Sequence, residues 1–133
     1  MLGFAFMSFF NATIYPGSKF MIDYLNLESK IQEADIIITG EGKLDVQSYM
    51  GKAPIEIARI AKKFNKKVIF LAGSVIDDEL SELNEDDRKL IDASFSIQRK
   101  FISLNTAMDK KVAKQNLENT IVQIFNILEF NNG

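Results

Sequence analysis

At 133 residues, 47% hydrophobic and 11% aromatic, the chain can bury one core of ordinary domain size, and one domain over 1–133 is expected. Charged residues make up 26% and are spread along a chain of net charge −2, so no basic field exists to hold nucleic acid. With neither cysteine nor histidine, these residues offer no disulfide, thiolate zinc site, thiol nucleophile or Ser-His-Asp triad; a reducing cytoplasm is the expected location, and any general base here must be Asp, Glu, Lys or Tyr.

Residues 2–11 read as a helix that is apolar nearly all round, which in water-soluble proteins means burial on more than one side. The run is about half of the ~20 residues that span a bilayer and lacks the flanks of a signal peptide, so no membrane partner is expected. Tyr15-Pro16-Gly17-Ser18 is a turn, with Ser18 placed to cap a short helix over 19–25, and 27–33 forms another. Ile36-Ile37-Ile38-Thr39 has no polar alternation, as in a strand buried on both faces of a parallel sheet.

A glycine-rich loop, 40–52, follows that strand. Pro54 suits the first turn of the next helix, whose stripe of Ile55, Ala58, Ile60 and Ala61 runs to Phe64, where Asn65 stops it. A second buried strand over 67–72 ends at a Gly73-Ser74 turn. An acidic stretch comes next, read as a solvated face, then a helix capped by Asn84 with Leu90 and Ile91 inward, and a third strand over 93–97. Ser103 caps a last helix with a stripe of Ala113, Leu117, Ile121, Ile124, Phe125 and Leu128. The βαβαβα order predicts the α/β class: a parallel sheet with helices on both faces.

In such sheets ligands collect outside the carboxyl ends of the strands, which puts the loop 40–52 where function is expected. Gly40 and Gly42 permit close backbone approach, and Glu41, Lys43, Asp45, Gln47, Ser48 and Lys52 concentrate polar groups beside a helix start. Generic motifs fail: Gly51-Lys52 is followed by Ala53, which rules out a P-loop, and the third glycine of a dinucleotide fingerprint is missing. Composition and spacing stop at an anion-binding loop.

The segment Ala34-Asp35-Ile36-Ile37-Ile38-Thr39-Gly40-Glu41-Gly42, with Asp45, Gln47, Gly51-Lys52 and Pro54-Ile55, resembles the signature of the bacterial-type glycerate kinases. The resemblance continues through the strand ending Ala72-Gly73-Ser74, through Phe95-Ser96-Ile97 and to Ser103-Leu104. It departs at Lys43, at Ser48 and at Val75-Ile76-Asp77-Asp78. What it implies is ATP-dependent phosphorylation of glycerate to phosphoglycerate, with Mg2+, on the Rossmann-like or flavodoxin-like part of a two-domain α/β fold. Family members are much longer, so the chain reads as their carboxy-terminal part, truncated ahead of Met1.

On that resemblance Asp45 is the first choice for base or magnesium contact, Glu41 for orientation or metal, and Lys52 for phosphate or the glycerate carboxylate. Gly40, Gly42, Lys43, Gln47, Ser48, Gly51 and Ser74 complete the expected substrate and phosphate contacts. A lysine beside a helix amino terminus opposes the dipole, so a bound anion near Lys52 is expected. The apolar helix over 2–11 points to a companion chain or self-association. The alternative is a non-catalytic, anion-binding remnant.

Overall fold

The computed structural model describes residues 21–23 and 25–130. The helix expected over 2–11 and the turn at 15–18 lie outside the described residues, as does self-association through that helix; of the helix expected over 19–25, residues 21–23 are helical. In chain order the elements are α1 (Leu27–Glu33), β1 (Ile36–Leu44), a 3-10 turn (Val46–Tyr49), α2 (Ala53–Lys63), β2 (Lys67–Val75), α3 (Asp77–Leu80), α4 (Glu85–Arg88), β3 (Ala93–Ser96), α5 (Leu104–Met108) and α6 (Lys110–Phe130). The strands form one parallel sheet ordered β1-β2-β3, with Ile37 opposite Val68 and Leu71 opposite Phe95.

Both faces of β2 are covered, which is why its sequence carries no polar alternation. Val68, Phe70 and Ala72 pack with Ile37, Ile55, Ala58 and Ala61 on the α2 side, while Ile69 and Leu71 pack with Ile124 on the α6 side. The expected stripe of α6 is only partly enclosed: Ile124 is buried, Ile121 and Leu128 lean on the sheet, and Leu117 and Phe125 are exposed.

Helix α2 ends as its sequence predicts. Asn65 adopts a left-handed φ of 54°, and the amides of Asn65 and Lys66 fold back onto the carbonyls of Lys62 and Ala61, satisfying the last turn. Asn84 caps α4 by accepting from the Asp87 amide. The acidic stretch is mostly exposed, as expected, and some of its members tie elements together: Glu79 accepts from the Val46 amide and Asp87 pairs with Arg59 at 3.1 Å.

Three expectations are corrected. Strand β1 does not stop at residue 39 but continues to Leu44, and β2 continues through Gly73-Ser74 to Val75, so the start of the expected loop, 40–44, and the whole expected turn are strand. Two glycines make this possible: a Cβ on Gly40 would sit 2.0 Å from the Leu71 carbonyl oxygen, and one on Gly73 would sit 2.7 Å from that of Gly42. The third correction is in the last helix, which breaks at Asp109. Ser103 caps only α5, through the Thr106 amide. Asp109 then turns extended, with ψ 131°, and its Oδ1 accepts from the amides of Lys111 and Val112, starting α6 afresh.

Candidate functional site

A cavity of about 1040 Å³ lies at the carboxyl ends of the strands. Its floor is the second half of β1 and β2, from Ile38 to Gly42 and from Leu71 to Ser74; its walls are the segment after β3, then α5 and α6. This is where an open α/β sheet receives ligands. Of the residues singled out from sequence, Gly40, Glu41, Gly42 and Ser74 line it.

Glu41 is the chemically distinctive member. It stands opposite Ala72 in the sheet, and its side chain is 19% exposed. Lys52, immediately ahead of α2, approaches its Oε2 at 3.5 Å. Its Oε1 is buried and has no hydrogen-bond partner, an arrangement that costs roughly 1–3 kcal/mol when nothing compensates it. Lys52 thus has an anionic side chain of the protein beside it.

Asp45 has different surroundings and is not among the residues that line the cavity. It caps the 3-10 turn: Oδ1 accepts from the Ser48 amide at 3.2 Å, while the Asp45 amide donates to Ser48 Oγ at 3.2 Å. Lys43 Nζ lies 3.1 Å from Oδ2. The hydrogen bond from Lys43 comes first among the influences that hold the Asp45 carboxyl below the ordinary aspartate range; partial burial opposes it, and the Lys43 charge and the amides of Ser48 and Gln47 reinforce it. Ser48 is fully buried and also donates to the Lys43 carbonyl, so it serves this turn. Lys43, Gln47 and Gly51 also lie outside the cavity lining; Gln47 is exposed, and Gly51 supplies a left-handed φ of 85° before α2.

The segment after β3 adds residues the sequence reading does not single out. Gln98, Lys100 and Phe101 line the cavity, and Thr39 joins them from β1. The segment is fixed at its start: Ser96 Oγ donates to the Gly73 carbonyl, the Gln98 amide donates back to Ser96 Oγ, and Asn116 of α6 donates to Gln98 Oε1. The signal that finds these residues is positional, because the carboxyl-end rule applies to β3 as much as to β1. No group of three or more His, Cys, Asp or Glu side chains able to hold a metal forms among the described residues, and no described helix is long and apolar enough to cross a membrane.

Comparison with known proteins gives the arrangement a context. The model of the "Glycerate kinase family" matches residues 1–129. The chain is similar to the glycerate 2-kinase of Escherichia coli K12, 40% identical over 106 residues, which is 80% of this chain and 27% of that protein. It is 39% identical over 123 residues to the glycerate kinase of Bacillus cereus, covering 92% of this chain and 31% of that one. A crystal structure described as glycerate kinase 2 from Salmonella typhimurium LT2 superposes with a TM-score of 0.67 at 34% identity, over 96% of this chain and 30% of that chain. The chain therefore spans less than a third of the length of these relatives.

Proposed function

The chain belongs to the glycerate kinase family, and we propose that it supplies the carboxy-terminal part of an active site that transfers a phosphoryl group from ATP to a hydroxyl of glycerate. The observation that carries the reading is Glu41, a residue lining the cavity whose Oε1 is buried and has no hydrogen-bond partner. A buried acceptor without a donor is completed by a ligand that brings one, and an acceptor hydroxyl is such a ligand. Glu41 would orient this hydroxyl and take its proton as the new oxygen–phosphorus bond forms and the bond to ADP breaks.

Lys52 serves that role through Glu41, by holding Oε2. Asp45 and Ser48 are positioning residues in the same reading: they pin the chain where β1 hands over to the 3-10 turn, just past Glu41. Ser74 and the backbone at Gly40 and Gly42 offer polar contacts along the floor. Magnesium commonly takes one or two carboxylates together with substrate phosphates. The described residues do not assemble a dedicated magnesium site, so the ion would enter on the nucleotide. The protein is proposed to act in the cytoplasm.

A second reading has its own observation, since less than a third of the relatives' length is present. In it the chain keeps the anion-binding cavity without standalone turnover. Phosphorus NMR of the purified chain with ATP, magnesium and glycerate separates the two, with calorimetry reporting glycerate binding. Phosphoglycerate production that Glu41→Gln lowers at least a hundredfold supports the kinase reading. Glycerate binding without product selects the second; absence of both refutes each.

A further inference from the structure

Gln98 lines the cavity two residues past the end of β3, and its own hydrogen bonds fix which of its groups is left for a ligand. Its backbone amide donates to Ser96 Oγ, which donates in turn to the Gly73 carbonyl of β2, so this part of the chain is tied to the sheet. Its side-chain Oε1 accepts from Asn116 Nδ2 of α6 at 3.4 Å. The buried Thr120 steadies the same turn of α6 by donating to the Asn116 carbonyl at 2.8 Å. An amide that turns its oxygen to one partner presents its two N–H donors in another direction. No described residue accepts from Gln98 Nε2, so both donors are uncommitted. The charges of the lining are also divided: Glu41 lies on β1, and Lys100, the single cation among the lining residues, lies after β3. Glu41, Ala72 and Ser96 stand at one level across the sheet, which separates these two margins by roughly 10 Å, two strand spacings.

We propose that Gln98 selects an acid as the acceptor substrate, its Nε2 donating to the substrate carboxylate, and that Asn116 is a positioning residue that keeps this amide in its donating orientation. A carboxylate only accepts hydrogen bonds, and an N–H bond to it is stronger than one to a neutral group. Reversed, the Gln98 amide would present Oε1, and a carboxylate there would meet a second acceptor. Asn116 opposes the reversal, because its Nδ2 would then face a nitrogen that cannot accept. Lys100 adds positive charge on the same margin, so the acid end lies by the segment after β3 and the hydroxyl lies toward β1 and Glu41. The identity of the acid rests on the glycerate kinase reading; the preference for a carboxylate over a carboxamide rests on the Gln98–Asn116 pair.

Calorimetry at pH 7 on the 133-residue chain with glycerate and with glyceramide, its neutral amide, tests the proposal, while phosphorus NMR with ATP and magnesium reports turnover. The parent binds glycerate about tenfold more tightly than glyceramide, the scale of one hydrogen bond to a charged group. Gln98→Glu abolishes the preference by setting a carboxylate against a carboxylate. Asn116→Asp lowers it about tenfold while glyceramide still binds, because an aspartate only accepts and so draws Nε2 to itself and turns Oε1 to the ligand. Gln115→Glu, which adds the same charge at the exposed neighbouring position of α6, leaves the preference within about twofold, as a charge held in water does. A parent that does not prefer the acid, a preference unchanged in Gln98→Glu or Asn116→Asp, or equal loss of both ligands in Asn116→Asp overturns the proposal. Phosphoglycerate formed by a parent without the preference sinks this inference and leaves the kinase reading standing. A preference that follows the amide pair without any product does the reverse.

Discussion

Replacing Glu41 by methionine should make the protein more stable while removing its proposed chemistry. The unpartnered Oε1 carries a desolvation cost of about 1–3 kcal/mol. Against that stands the contact to Lys52 at 3.5 Å, whose lysine side chain is 45% exposed, so its loss is worth at most about 1 kcal/mol after solvent screening. Methionine has similar length and adapts to irregular gaps. The balance favours Glu41→Met by about 1 kcal/mol, or roughly 3–5 °C in Tm for a chain of this size. Glu41→Gln is the control: it loses the ion pair yet leaves a polar atom unpartnered, so its Tm should not exceed that of the parent. Thermal unfolding followed by circular dichroism reads all three. A Glu41→Met midpoint at or below that of Glu41→Gln would refute the claim that this site stores a cost which function repays.

Two further outcomes follow from the sheet and from its charge clamp. Gly40→Ala should destabilise by about 2–3 kcal/mol in urea unfolding, because its Cβ would meet the Leu71 carbonyl oxygen, a backbone atom that cannot swing aside, at 2.0 Å; Gly42→Ala, with nothing within 4 Å, should lie within about 0.5 kcal/mol of the parent. Asp92 accepts hydrogen bonds from Lys62, Lys67 and the Val68 amide. Burial, the largest single influence, raises its pKa, but these hydrogen bonds and the Lys62 charge together hold it below the ordinary aspartate value. A lowered folded pKa means that its stabilisation is complete above the unfolded value of about 3.9 and fades as pH falls through the folded one. Asp92→Asn should therefore lower stability at pH 7 and flatten the acid limb below about pH 4, and an unchanged limb would count against the clamp.

Much of this architecture is legible in the sequence because local chemistry and packing agree. The run of Ile36, Ile37 and Ile38 marks a doubly covered strand, and Asn65 and Asn84 mark helix boundaries by side-chain and backbone preferences that hold in the fold. What escapes is decided by neighbours distant in sequence. Gly-Glu-Gly-Lys has the composition of a loop, and only the approach of Gly40 to Leu71 and of Gly73 to Gly42 shows why glycine suits strands here. Asp109 fits the periodicity of a continuous helix, yet its carboxylate competes for the amides of Lys111 and Val112 and starts a new one. Glu41 and Asp45 offer the same functional group four positions apart, and sequence cannot rank them; one enters a cavity and the other closes a turn.

That division of labour gives the extended strands a functional meaning. A carboxylate on a flexible loop would find water or a nearby amide for each oxygen and would hold no unmet hydrogen bond. Mounted on β1 between Gly40 and Gly42, Glu41 is held by the ladder to β2 through its register with Ala72, and by Lys52 from the start of α2. Immediately beyond, Lys43 stands opposite Ser74, and the Asp45–Ser48 box fixes the point where the chain leaves the sheet. These contacts hold the strand in register on both sides of Glu41. The acidic pair of the motif then consists of one carboxylate with an unmet acceptor and one completed by the protein, the second closing the turn in which the strand ends.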